Sequence, residues 1–185
     1  MEMLMPDSIR VTCFFAPLLL LAVSAGAQEG DGSASNSAPK KRKPPCATPE
    51  HRQFDFWLGT WDVHNRAQPK RPPARNVITA EHDGCLIHEQ YVAGLYNGSS
   101  LNFYNPQTKR WHQTWIDNQG GSLLLDGGLD KKGRMVLSSD PSKSPIERIT
   151  WTPKKNGDVR QHWQQSKDGG KTWADVFDGT YVKVK

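Results

Sequence analysis

Acids, amides and tryptophans alternate along several short runs of this chain. Trp111, Gln113, Trp115 and Asp117 stand two residues apart in 110–117. Ser100, Asn102 and Tyr104 do so in 99–104, and Cys85, Ile87, Glu89 and Tyr91 in 85–92. Val159, Gln161 and Trp163 follow the same spacing, as do Glu147, Ile149 and Trp151. Residues two apart in an extended strand share one face. Tryptophan gains most from burial, so these faces are expected to turn inward. An interior so lined has apolar walls and a few polar groups, the composition of a small-molecule cavity. Glu89, Asn102, Trp111, Gln113, Trp115, Asp117 and Gln161 are the candidate ligand-binding residues.

Three chemistries compete for those residues. In the first, Gln113, Asn102, Glu89 and Gln161 orient the polar group of a small, partly apolar ligand. In the second, the chain is a hydrolase acting on envelope sugars or lipids, and two of Glu89, Asp117 and Glu147 could form the carboxylate pair that glycoside hydrolysis requires. In the third, the buried polar groups satisfy one another and the interior is filled. No catalytic residue is assigned, because neither a Gly-x-Ser-x-Gly elbow nor a phosphate-cradling loop is present. The six histidines form no His-x-His or His-Glu-x-x-His pattern, and no metal site is expected. His112 and His162 alternate away from Trp111 and Trp163 and should face outward.

Ser166-Lys167-Asp168-Gly169-Gly170-Lys171-Thr172-Trp173 fits the Asp-box pattern Ser-x-Asp-x-Gly-x-Thr-Trp. In sialidase-like propellers the box recurs blade after blade, whereas here it occurs once. Its expected role is local: Asp168 accepts from turn amides, the glycines take positive φ and Trp173 packs beneath.

The elements that position these residues are strands. Short extended runs are expected at 61–66, 75–82, 85–92, 99–104, 110–117, 122–129, 134–138, 146–152, 158–166 and 175–183. Asp83-Gly84, Asn97-Gly98, Asn156-Gly157 and Asp168-Gly169 read as tight turns. A single short helix precedes the strands: Thr48 as N-cap, Pro49 at the first position, and Phe54, Trp57 and Leu58 along one face. Ten strands in hairpin order predict an all-β, antiparallel up-and-down barrel, which removes its edges by closing.

Outside this domain, residues 1–27 have a short polar start, an apolar run and Ala25-Gly26-Ala27, the pattern of a secretory signal cleaved after Ala27. Cys13 lies inside that run without a lipobox. Residues 28–45 carry Gly, Ser, Pro and Lys40-Lys41-Arg42-Lys43 without apolar periodicity, and read as a disordered basic linker. The chain has 24 basic and 19 acidic residues, a formal net charge of +5. That charge suggests attraction to anionic surfaces; in an exported protein the basic linker is read as a solvated tether or an envelope contact, and no nucleic-acid partner is expected. The barrel domain occupies 46–185. The place expected for the mature chain is the periplasm or the medium. There Cys46 and Cys85, the cysteines left after cleavage, are expected to form a disulfide worth about 3–4 kcal/mol in loop entropy.

Gly59-Thr60-Trp61 after a short helix resembles the first motif of the lipocalin and calycin barrels. The longer set resembles a bacterial group of exported lipocalin-like domains of unknown function. It comprises Phe54–Val63, Gly84-Cys85, Ser100-Leu101-Asn102-Phe103-Tyr104, Trp111–Asp117 and Val159–Tyr181. The resemblance implies a barrel with Trp61 packed across its closed end. Leu58–Trp61 is also similar to the start of nitrobindin-type haem barrels, but Asp62-Val63-His64 departs from their glycine- and acid-rich continuation. No cofactor is expected.

Overall fold

The computed structural model describes residues 44–184. The expected signal segment, with Cys13, and nearly all of the basic linker lie outside them. The strands are β1 (Gly59–Asn65), β2 (Ala74–Glu81), β3 (Leu86–Ala93), β4 (Tyr96–Asn105) and β5 (Arg110–Asp117). They continue as β6 (Ser122–Leu129), β7 (Met135–Ser138), β8 (Ile146–Pro153), β9 (Val159–Ser166) and β10 (Ala174–Lys183). Each pairs antiparallel with its neighbours in sequence, and β1 pairs with β10 through Trp61 opposite Lys183 and Val63 opposite Tyr181. The result is a closed up-and-down barrel without a free edge.

The short N-terminal helix takes the form of two 3-10 turns, Pro49–Arg52 and Asp55–Trp57. Phe54 between them has φ −108° and ψ 6°, which breaks a continuous helix. The Thr48 hydroxyl makes no cap bond and instead lies 2.8 Å from a ring nitrogen of His51. Phe54 and Trp57, both fully buried, plug one end of the barrel. Phe54 stacks on Trp57 at 4.8 Å and meets Trp111 and Trp151 edge-on at 5.6 and 5.2 Å. The indole N–H of Trp61 donates to the Trp57 carbonyl at 2.9 Å, joining plug to barrel wall.

Cys46 and Cys85 form a disulfide with their Cα atoms 5.0 Å apart, as expected. It ties the segment before the plug to the 3-10 turn His82–Gly84 between β2 and β3. The Arg52 guanidinium donates to the Gly84 carbonyl beside it.

One expected turn is absent. Asn97-Gly98 lies within β4, and the β3–β4 hairpin turns at Gly94-Leu95, where Gly94 has φ 65°. Gly98 is needed for a different reason. A Cβ there would sit 2.4 Å from Cζ2 of Trp115, whose ring lies across it. Gly179 on β10 does the same for Phe177, whose ring atoms would be 2.5 Å from an added Cβ. In both places a large ring folds back over its own sheet.

Candidate ligand cavity

Inward-facing side chains fill the barrel in three levels. The aromatic plug is the lowest. Above it lies a polar layer of Asn76, Glu89, Ser100, Asn102 and Gln113, each at most 3% exposed. Strand register makes this layer: Glu89 pairs with Ser100 across β3 and β4, and Asn102 with Gln113 across β4 and β5. Above the polar layer is a cavity of about 260 Å³, at the small end of ligand sites. Its floor is Glu89, Gln113 and Gln161 with the ring of Tyr181. Its walls are Tyr91, Tyr96, Trp115, Trp163 and Phe177, with Leu123 and Ile149 between them, and Val176 stands half-exposed at the mouth.

The polar layer is one connected chain of hydrogen bonds. The Gln113 amide donates to Asn102 Oδ1 at 2.7 Å. Asn102 Nδ2 donates to the Ile87 carbonyl at 3.1 Å and to Ser100 Oγ at 2.8 Å. The Ser100 hydroxyl donates to Glu89 Oε2 at 2.6 Å. From the other side, Asn76 Nδ2 donates to Glu89 Oε1 at 2.7 Å and to the Tyr181 hydroxyl at 3.2 Å, and Tyr181 donates to Gln161. Burial pushes the Glu89 carboxyl up to about 7, against the lowering effect of the Ser100 and Asn76 bonds. Burial likewise raises the hydroxyl of Tyr181 well above its ordinary value, with the nearby Glu89 charge adding to it.

The structure separates the seven candidate residues by depth. Glu89, Gln113, Trp115 and Gln161 border the cavity. Asn102 is fully buried behind Gln113 and acts through it. Trp111 belongs to the plug, its N–H donating to Gln53 at 3.1 Å. Asp117 sits at the rim, where it accepts from the Tyr96 hydroxyl at 3.0 Å, the Trp115 N–H at 3.2 Å and the amides of Gln119 and Gly121 at 2.9 Å. Those bonds, the Gly121 amide foremost, hold its carboxyl below the ordinary range. Trp111 and Asp117 share a face, yet six residues at ~3.3 Å each put ~20 Å between them. Asn76 and Tyr181 escaped the sequence reading. Asn76 carried a usable signal, since it alternates with the apolar Ala74 and Ile78.

The three acids are distributed in the same way. Glu147 is buried and holds the N–H of Trp163 and, at 2.7 Å, the Gln165 amide. Glu89 is therefore the single carboxylate bordering the cavity among the described residues. His112 and His162 face outward, His112 3.0 Å from Asp126 and His162 2.8 Å from Asp175. No cluster of three or more His, Cys, Asp or Glu able to hold a metal occurs among the described residues.

The Asp-box forms the β9–β10 turn. Asp168 accepts from the Thr172 amide at 2.8 Å, the Thr172 hydroxyl at 2.6 Å and the Ser166 hydroxyl at 2.8 Å, which holds its carboxyl at about 2. Gly169 and Gly170 have φ 72° and 89°. Trp173 donates to the Gly170 carbonyl at 3.0 Å and lies under the Arg148 guanidinium at 3.6 Å. Every bond in the box is spent on the turn.

Fold and site together define a closed antiparallel barrel with an aromatic-walled cavity over a polar floor. Compared with models of known protein families the chain matches none, and no curated protein matches it.

Proposed function

We propose that this chain is an exported, lipocalin-like barrel that binds a small, partly apolar molecule in its cavity and releases it unchanged. The observation that carries the reading is the uneven filling of the interior. Four tryptophans and Phe54 pack one end solid, while about 260 Å³ stays open above Glu89 and Gln113. A purely structural barrel has no use for that space, since each unfilled volume in a core costs stability. The binding reading also fits the acids: glycoside hydrolysis needs two carboxylates flanking the scissile bond, and one borders the cavity. The disulfide supports an oxidising compartment. On this reading the basic run Lys40–Lys43 meets an anionic envelope surface.

Native mass spectrometry of the protein recovered from an exporting host tests the proposal, with titration of apolar small molecules, fatty acids and haem against tryptophan fluorescence. The expected result is an added small mass, or saturable quenching of Trp115 and Trp163. A bare chain mass together with unchanged fluorescence across the panel would replace this reading with that of a structural domain.

A further inference from the structure

The polar layer has a direction, and the Ile87 carbonyl sets it. A backbone carbonyl only accepts, so Asn102 must turn its NH₂ toward it. That leaves Asn102 Oδ1 facing Gln113, which must answer with its own NH₂. The same Asn102 NH₂ donates to Ser100, so the Ser100 proton goes to Glu89. On the far side, the NH₂ of Asn76 is spent on Glu89 and Tyr181, and the Tyr181 proton on Gln161. The donors of these five side chains around Glu89 are consumed within the layer.

Acceptors are in surplus. Asn76 Oδ1 is buried without a hydrogen-bond partner. Glu89 receives one bond on each oxygen, and a carboxylate offers about four acceptor sites. Among the described residues no lysine, arginine or histidine borders the cavity to balance its charge. The same cavity is walled by the rings of Tyr91, Tyr96, Trp115, Trp163 and Phe177, and aromatic π-faces attract cations.

Resting on the cavity-binding reading above, we infer that the ligand carries an ammonium group on a short apolar stem, its N–H donors on Glu89 and its stem among the rings. The floor carries the Glu89 carboxylate with no cation against it among the described residues, and the walls favour an ammonium ion. A carboxylate ligand would meet the like charge of Glu89, against which the floor sets only a neutral donor, the NH₂ that Gln161 leaves free when its carbonyl accepts from Tyr181.

The test uses three probes of one shape, 2-phenylethylamine, 2-phenylethanol and phenylacetate, titrated calorimetrically at pH 8 into the full mature protein. The amine is expected to bind about tenfold or more tightly than either of the others, as a charge-assisted bond to a buried carboxylate requires. In E89Q the ratio of amine to alcohol affinity should fall to about one. The wild-type comparison stands alone if E89Q does not fold. Equal or tighter binding of the alcohol or the acid would overturn the ammonium inference and leave the cavity reading intact, as would amine binding unchanged in E89Q. Failure of all three probes to bind would overturn the inference together with the cavity reading.

Discussion

Asn102 lies directly opposite Gln113 across β4 and β5, and the Gln113 amide donates to its side-chain carbonyl at 2.7 Å. From sequence, Gln113→Leu weakens binding and spares folding if the cavity is open, and loses stability if the barrel is filled and Gln113 has a structural partner. The pairing supplies that partner. Asn102 is fully buried, so removing its donor leaves Oδ1 without a partner. An unpaired buried polar group costs about 1–3 kcal/mol, and Gln113→Leu should lose that much in urea denaturation. A midpoint equal to wild type would mean that the layer is not connected as described.

Trp61 is fully buried, donates to the Trp57 carbonyl at 2.9 Å and packs against Tyr181 at a centroid distance of 6.2 Å. Trp61→Ala removes the ring and strands that carbonyl. A loss of about 3–5 kcal/mol is expected, a large share of what a domain this size possesses. A thermal midpoint within a degree of wild type would show that plug and barrel are not coupled through this residue.

The Cys46–Cys85 bridge closes a loop with a sequence separation of 39. Loop entropy alone gives about 3–4 kcal/mol, so the Cys46→Ser, Cys85→Ser double variant should unfold at correspondingly lower denaturant. Thiol titration of the oxidised mature protein should find neither cysteine free. Two reactive thiols under non-reducing conditions would refute the bridge.

Gly98 clears space for the Trp115 ring, which walls the cavity. In Gly98→Ala the new Cβ meets Cζ2 at 2.4 Å and the Ile116 carbonyl at 2.7 Å. The ring can swing away but the backbone oxygen has less freedom. About 1–3 kcal/mol of strain is expected, with a shifted tryptophan emission maximum and weaker binding of any cavity ligand. An unaltered emission spectrum would show that Trp115 does not lie over Gly98.

These predictions also mark what the sequence could and could not convey. Strand alternation and turn residues made all ten strands legible, because every hairpin must leave its sheet through residues that tolerate it. The Asn97-Gly98 pair misled because one residue type served another purpose. Glycine there gives room to Trp115 and does not turn the chain. Alternation also gave the inward face of β5 but not depth along the barrel axis. It could not tell that Trp111 belongs to the plug, Gln113 and Trp115 to the cavity, and Asp117 to the rim. Depth depends on the stagger between neighbouring strands, which is fixed by the closure of the whole barrel. Asn76 was missed because β2 has no aromatic residue to mark its inner face.

Glu89 should make stability depend on pH in an unusual direction. Burial raises its folded-state carboxyl to about 7, above the ordinary 4.5. Below the ordinary value the group is protonated in both states, and its full contribution is present. As pH rises from about 4.5 to 7, the unfolded chain loses the proton and the native state keeps it, so stability falls by about 3 kcal/mol. The groups facing Glu89 do not titrate in that window. Asn76 and Ser100 are neutral, and burial raises the hydroxyls of Tyr91 and Tyr181 above their ordinary value. His88, which weakly favours the Glu89 charge, stands on the outer face of β3, 3.0 Å from Glu81. The surface acids act elsewhere: Asp168 at about 2 and the lowered Asp178 contribute stability that is lost only as pH falls below the ordinary carboxylate range. Urea denaturation of wild type and Glu89→Gln between pH 4.5 and 8 separates the two effects. The wild-type curve should descend relative to the variant, and an ammonium probe should offset that descent, because it binds the charged form. Parallel curves across the range would mean that Glu89 titrates as an ordinary solvated acid and that the polar layer is open to water.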